Sequence, residues 1–294
     1  MKVSGFTFIK NGISLGYPFI ESVLSIDPLC DEIIINVGFN DPECTEDDGT
    51  YELIKKNFSG SKYKIIKNYW DPEIASSGEI LSQQTNLALA ECQGDICQYI
   101  QGDEALHQQD FQKIKQGYQE LNQRDDLHGL VFKYIHFYGN TNVYRYTRTV
   151  YRREVRTIKN GCDIKSWKDA QGFRFGNGTK INAKLIDASV YHYGWARQQD
   201  VMDKKMKSFS KLYHGKDFEL QNNFEYRRIW GLKPFEGTPP QTHLNWVKEN
   251  THPTDLLALK PSYRIRDWDI IVSDFVEWLT GYRIGEYKNY RLRK

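Results

Sequence analysis

The chain has 294 residues, and its 40 Lys and Arg side chains against 38 Asp and Glu leave a formal net charge of +2. A chain of this length buries enough surface to hold a core without disulfides or a structural metal. Its near-neutral charge excludes a general attraction to nucleic acids or anionic membranes, so a bound anion would need a local site.

The cysteines and the apolar segments bear on the cellular compartment. The five cysteines are odd in number and scattered, which favours reduced thiols in a cytoplasmic protein over a disulfide framework. The first nine residues are too short and too polar for a signal segment, and no apolar run approaches about 18 residues. We therefore expect a cytoplasmic protein with no transmembrane segment.

Strand and helix signals alternate through the first third of the chain. β-rich or fully apolar runs predict strands over 3–9, 33–35, 63–66 and 96–100, and apolar residues at helical spacing predict helices over 18–26, 51–58 and 78–92. This alternation favours βαβ units and a mostly parallel sheet flanked by helices. Functional sites in such sheets lie at the carboxyl ends of the strands.

The remainder predicts a helix over 107–121, a strand over 127–137, short β pieces over 140–190 and mainly helices from about residue 200. The segment 144–156 interleaves arginines with tyrosines, and we interpret it as a solvated strand face rather than a nucleic-acid site. An amphipathic helix over 268–279 is followed by a basic end. It either docks on the core or on a second subunit, giving a homodimer, or rests peripherally on an anionic membrane.

The most informative local motif is Gly102-Asp103-Glu104, directly after the predicted strand 96–100. Two adjacent carboxylates are costly to bury unless they hold a cation or accept hydrogen bonds. Oxygen ligands of this kind suit Mg²⁺ or Mn²⁺ shared with substrate phosphates, which makes Asp103 and Glu104 candidate metal ligands. The alternative is an ordinary turn or helix N-cap.

Four motifs over residues 1 to about 110 resemble, in order and spacing, those of the family-2 glycosyltransferases. The first strand runs into Asn11, the second carries Asn36 and leads to Asp41, the third motif is a helix containing Asn86, and the fourth is Gln101-Gly102-Asp103-Glu104. Two departures accompany the match. Gln101 stands where the family has its first Asp, and Asn36-Val37 replaces an Asp-Asp pair that helps to hold the nucleotide.

This resemblance implies a GT-A fold in residues 1–200, with a helical extension over 201–294 that shapes the acceptor side or mediates dimerisation. It also implies that a sugar moves from a nucleoside diphosphate sugar to a hydroxyl acceptor, such as a glycan, with inversion and with Mn²⁺ or Mg²⁺. UDP-sugar is the default donor, and a guanosine or cytidine donor stays open. The residues expected at the nucleotide end are Asn11, Asn36, Asp41, Asn86, Gln101, Asp103 and Arg197.

Two later segments supply further candidate residues. His192 and Arg197 resemble the late histidine and arginine that complete a metal or diphosphate site, although the same segment also fits a strand end with a buried histidine. Asp169 is the first candidate for the base that deprotonates the acceptor, and Asp163 is the second. Each of these aspartates also fits an exposed loop residue that caps a turn.

Two other functions remain open from the sequence. A nucleotidyltransferase could use a similar nucleotide-binding sheet, but the segment Phe8–Gly12 is a thin match to its Gly-rich loop. A non-catalytic carbohydrate-binding protein derived from a transferase is the other, because Asn36, Val37 and Gln101 depart from the family pattern.

Overall fold

The structure is a computed structural model that describes residues 1–74, 78–215, 217–220, 222–264, 267–286 and 288–294. The strands in these residues are β1 Val3–Ile9, β2 Glu32–Phe39, β3 Tyr63–Tyr69, β4 Ile96–Tyr99, β5 Glu104–Leu106, β6 Gly129–Tyr138, β7 Asn140–Arg145, β8 Arg153–Lys159, β9 Ile164–Trp167, β10 Gly172–Phe175, β11 Ile181–Trp195, β12 Leu232–Pro234 and β13 Tyr290–Arg293. The α-helices are α1 Phe19–Ile26, α2 Thr50–Asn57, α3 Glu79–Ala90, α4 Phe111–Gln123, α5 Gln199–His214, α6 Leu244–Asn250 and α7 Trp268–Thr280.

The central sheet combines a parallel part with an antiparallel part. Strands β4, β1, β2 and β3 lie side by side and run parallel. Strand β8 pairs antiparallel with β4 and with β6, and β7 and β12 extend the sheet beyond β6. The long strand β11 pairs in parallel with β6 and also pairs with β5 and β13. The predicted α/β class, with a helix-flanked sheet, is confirmed.

The alternation of side chains along β2 divides the core between the two faces of the sheet. Ile33 and Ile35 pack with α1, α2 and α4 on one face, whereas Ile34 packs on the other face with α3 and the β9–β10 hairpin. All three are fully buried. Successive strand residues point to opposite faces, so a run of three isoleucines serves both layers.

The C-terminal third contains the predicted helices together with two strands. Helices α5, α6 and α7 follow one another from residue 199, and the boundary predicted at residue 200 falls inside α5. The basic end that follows α7 in sequence forms β13, which pairs with β11. No helix among the described residues is long and apolar enough to cross a membrane.

Candidate active site

A cavity of about 730 Å³ opens where β1 and β4 end, with α5 forming its opposite wall. Its size is that of pockets that bind small molecules, and its position is the one expected for sites in parallel sheets. Asn11, Gln101 and Asp103 come from the strand-end loops, whereas Lys205 comes from α5. The cavity therefore places predicted polar residues opposite a helix from the C-terminal third.

The adjacent carboxylates Asp103 and Glu104 have opposite surroundings. Asp103 lies in the turn that precedes β5, and Glu104 is the first residue of that strand. Asp103 lines the cavity. Glu104 is fully buried and accepts two hydrogen bonds from Arg156, at 2.8 and 2.9 Å, and one from the Tyr134 hydroxyl at 2.9 Å. The prediction of Glu104 as a metal ligand is therefore corrected, because its oxygens are occupied by Arg156 and Tyr134.

Three basic side chains surround the Asp103 carboxylate. Lys205 Nζ lies 3.0 Å from Oδ2, Arg197 Nη2 lies 3.6 Å from Oδ2, and His192 Nε2 lies 3.7 Å from Oδ1. Burial alone would raise the pKa of Asp103, but the nearby positive charge, led by Lys205, outweighs it and holds that pKa well below its usual value. Asp103 is consequently a carboxylate at neutral pH.

Lys205 and Arg197 are held in place by backbone carbonyls and by one aromatic ring. The Gly194 carbonyl accepts hydrogen bonds from both, at 2.9 Å from Lys205 and 2.7 Å from Arg197. Both cations also lie over the Tyr17 ring, at 5.0 and 4.4 Å from its centroid. Burial lowers the pKa of Lys205 to about 8, which leaves it mainly charged at neutral pH. The buried Nη2 atom of Arg197 has no hydrogen-bond partner among the described residues.

A buried hydrogen-bond chain fixes the tautomer of His192. The Tyr151 carbonyl can only accept, so the Nε2 atom of His136, at 2.7 Å from it, carries a proton. The Nδ1 atom of His136 then accepts from Nδ1 of His192 across 3.1 Å. This leaves the lone pair of His192 Nε2 as the group that faces Asp103. Burial lowers the pKa of both histidines, so both are neutral at neutral pH.

The facing acceptors His192 Nε2 and Asp103 Oδ1 form a place where a cation could bind. Neutral imidazole nitrogen and carboxylate oxygen are ligands of the type that Mn²⁺ accepts. No group of three or more His, Cys, Asp or Glu side chains suited to a metal occurs in the described part of the chain. An ion at this place would have only these two protein ligands and would need its other oxygens from substrate and water.

Three further predicted residues lie at the cavity. Asn11 has a positive φ of 54°, a conformation that asparagine tolerates better than most residues. Gln101 donates hydrogen bonds to the Tyr99 hydroxyl and to the Ala170 carbonyl, both at 3.3 Å. It thereby ties the end of β4 to the loop that carries Asp169, which is half-buried in the cavity wall.

The Asp169 side chain contacts α5 across the cavity. Its Oδ2 accepts a hydrogen bond from the Tyr213 hydroxyl at 3.4 Å. Burial, with the nearby negative charge of Asp169, raises the pKa of Tyr213 to about 12. The hydroxyl thus stays protonated and donates to the carboxylate.

Two predicted asparagines have structural positions instead. Asn36 is fully buried, donates to the backbone and side chain of Gln84 at 2.8 and 2.9 Å, and accepts from Asn68 at 2.7 Å. Asn86 exchanges hydrogen bonds with the backbone of Ser166 and tethers α3 to β9. Neither lines the cavity, so the nucleotide-binding predictions for both are corrected.

Two predicted aspartates also lie outside the cavity. Asp41 is partly exposed, and its carboxylate closes its own turn by accepting hydrogen bonds from the backbone of Thr45 and Glu46. Asp163 is exposed at a positive φ of 47° and faces Lys165 at 3.6 Å on a separate, smaller depression. The nucleotide role of Asp41 and the base role of Asp163 are corrected on this placement.

Sequence reasoning missed several residues of the cavity. The most consequential is Lys205, which lies on the same side of α5 as Met202, Met206 and Phe209. Spacing of three and four residues in an amphipathic helix could have identified this inward lysine. Trp70 also lines the cavity, but helical spacing could not have identified it. Its ring packs against Gly38, where a Cβ atom would lie 2.3 Å from the indole nitrogen, and only the fold brings these two residues together.

Comparison with known proteins gives only distant structural likenesses. No family model and no curated protein matches the sequence. Residues 1–349 of TarS from S. aureus in complex with UDP-GlcNAc show 17% identity and a TM-score of 0.32, with 47% of this chain and 35% of that chain covered. This chain thus spans about a third of the length of that structure.

Two other solved structures extend this comparison. A second structure of S. aureus TarS 1–349 shows 11% identity and a TM-score of 0.39 over 74% of this chain and 67% of that one. A mycobacterial protein shows 17% identity and a TM-score of 0.28 over 47% and 42%.

Proposed function

We propose that this protein is a glycosyltransferase of the GT-A type that moves a sugar from a nucleoside diphosphate sugar to a hydroxyl acceptor. The observation that carries the proposal is the group formed by Asp103, Lys205, Arg197 and His192 at the cavity where the parallel strands end. A UDP-sugar is the default donor, in keeping with the motifs over residues 1 to about 110.

The charge of this group favours a diphosphate. Lys205 and Arg197 each carry a positive charge, and Asp103 balances only one of them, so the surroundings of the carboxylate are net positive. The other Lys and Asp residues that line the cavity balance each other, Lys10 and Lys211 against Asp71 and Asp169, so an excess of one positive charge remains. The Lys205 ammonium, which lines the cavity, can donate a charge-assisted hydrogen bond to a phosphate oxygen, whereas Arg197 is fully buried, does not line the cavity and contributes only through its charge.

Asp103 and His192 are the residues that would hold Mn²⁺ or Mg²⁺. Such an ion neutralises the charge that develops on the leaving diphosphate. His136 positions His192 so that its unprotonated Nε2 faces the carboxylate. Lys205 keeps Asp103 ionised, and therefore competent as a ligand, across the neutral pH range.

Asp169 is the proposed base on the acceptor side. Its carboxylate would take the proton of the acceptor hydroxyl as that oxygen bonds to the anomeric carbon. The bond between that carbon and the diphosphate oxygen breaks in the same step, which inverts the anomeric configuration. The hydrogen bond from Tyr213 holds one Asp169 oxygen and leaves the other for the acceptor.

The test is product analysis with a panel of UDP-, GDP- and CDP-sugars in the presence of Mn²⁺ and a set of glycan acceptors. We expect release of a nucleoside diphosphate with one base family, together with an inverted product by NMR. Asp169→Asn should abolish turnover, whereas Asp163→Asn, a matched change outside the cavity, should leave it intact. A parallel assay with nucleoside triphosphates and sugar 1-phosphates would identify a nucleotidyltransferase by release of pyrophosphate, and nucleotide binding without any turnover in either assay would favour a non-catalytic protein.

A further inference from the structure

The outer face of α7 is the largest concentration of exposed apolar side chains in the described residues. Eight of the sixteen large hydrophobic side chains found exposed there lie between residues 263 and 284. Six of them form what we call the α7 stripe, each with 54–78% of its surface exposed. The stripe consists of Trp268, Val272, Phe275, Trp278, Leu279 and Tyr282. Apolar patches of this size on a protein surface mark interaction sites.

The stripe is uncharged because the acidic residues of α7 are engaged with other parts of the protein. Glu277 forms ion pairs with Arg152 at 2.6 Å and with Arg283 at 2.7 Å. Asp274 accepts a hydrogen bond from the indole of Trp230 at 2.8 Å. These contacts fix which face of the helix is turned inward, and they leave the opposite face apolar.

Asp269, the remaining carboxylate of the helix, is ion-paired with Arg148. No lysine or arginine occurs between residues 268 and 280. Helices that lie on anionic membranes present basic side chains beside their apolar face. A helix whose charged side chains are all acidic lacks this feature, so the stripe fits a protein surface better than a lipid surface.

The area of the stripe is sufficient for a dimer interface. Its four aromatic side chains, at roughly 200 Å² each when fully exposed, present about 500 Å² per copy at their observed exposures. Two copies together present about 1,000 Å² before Val272 and Leu279 are counted, which is the size that a specific interface requires. Tryptophan and tyrosine are also the residue types enriched among energetically dominant interface contacts.

We propose that the α7 stripe packs against the α7 stripe of a second copy of this chain, which gives a two-fold symmetric dimer. A two-fold axis places the same patch on both partners, so each stripe must be complementary to itself. An uncharged apolar stripe satisfies this condition, because self-pairing brings no like charges together.

The experiment is sedimentation-velocity ultracentrifugation of the full chain over a concentration series. The wild-type protein should sediment as a dimer at micromolar concentrations and dissociate on dilution. Phe275→Asp and Trp278→Asp, measured separately, should each raise the dimer dissociation constant at least about 30-fold. Leu24→Asp, at an exposed leucine on α1, is the matched control and should leave the dissociation constant unchanged.

The remaining outcomes overturn the proposal. A wild-type protein that stays monomeric at about 100 μM, or a dimer that both aspartate variants retain, would show that the stripe does not pair with itself. Co-sedimentation of a monomer with phosphatidylglycerol vesicles, lost in Trp278→Asp, would assign the stripe to a membrane. Circular dichroism of each variant establishes that it is folded, as expected for side chains 59–78% exposed.

Discussion

Asp103 and Glu104 are neighbours in sequence but belong to two regions with opposite chemistry. Asp103 lies in a cavity with Lys205 at one oxygen and the free lone pair of His192 at the other. Glu104 lies in the core, where Arg156 occupies both of its oxygens. Adjacent carboxylates at a strand end can thus have different surroundings, because Asp103 lies in the turn before β5 whereas Glu104 is the first residue of the strand. Asp103 belongs to the proposed ligand site, and Glu104 is paired with Arg156 in the core.

The largest expected effect is on stability. Glu104→Gln should destabilise the protein by about 3–5 kcal/mol, because it leaves the fully buried Arg156 without its charge partner. Urea unfolding followed by circular dichroism measures this loss. The double variant Glu104→Leu with Arg156→Met should recover part of it, since it removes both charges. A single variant as stable as wild type would show that the pair does not hold the fold.

Asp103→Asn should reduce turnover strongly, and it should also cost stability, because it leaves the buried Lys205 and Arg197 without a carboxylate partner. We expect metal-dependent activity to fall at least about 100-fold, because the variant removes the charged ligand and the partner of Lys205. Initial rates with the identified donor measure it, and Asp163→Asn is the control. Unchanged rates would show that Asp103 takes no part in the reaction.

His136 lies between the two regions and acts through His192. His136→Phe should weaken Mn²⁺ binding about 10- to 100-fold, because His192 loses the acceptor that fixes its tautomer. Electron paramagnetic resonance of free Mn²⁺ with UDP present measures the affinity. His136→Asn, which keeps an acceptor near the position of Nδ1, should restore part of it. Equal losses in both variants would indicate a packing defect.

The smallest expected effect concerns His243, which stacks on the Tyr193 ring beside the Asp103 loop at 4.6 Å. Burial lowers the pKa of His243 to about 3, whereas the unfolded chain binds that proton near pH 6.5. Stability is therefore lost as the pH falls below about 6.5. Between pH 7 and pH 5, this effect lowers the unfolding free energy of the wild type by about 2 kcal/mol, and His243→Phe should abolish it. Urea unfolding of both proteins at both pH values measures the difference. A parallel decline in the variant and the wild type would contradict a neutral, buried His243.

The sequence was a good guide to the elements and a partial guide to the site. Apolar runs that alternate with segments of helical spacing predicted strands β1 to β4 and the helices between them. The signal of the strands is strong because the sheet is buried on both faces. Asn11, Gln101, Asp103 and Asp169 lie at the cavity because strand ends and the loop after β9 converge there. Glu104 could not have been assigned correctly, since its partner Arg156 is 52 residues away and only the sheet brings them together.

We propose that Asp103 holds the metal ion of a nucleotide-binding site. The most direct measurement is isothermal titration of UDP into the protein with and without Mn²⁺, for the wild type, Asp103→Asn and Asp163→Asn. We expect Mn²⁺ to tighten UDP binding in the wild type and in Asp163→Asn, and we expect Asp103→Asn to lose this gain while remaining folded. The same gain from Mn²⁺ in all three proteins would contradict it.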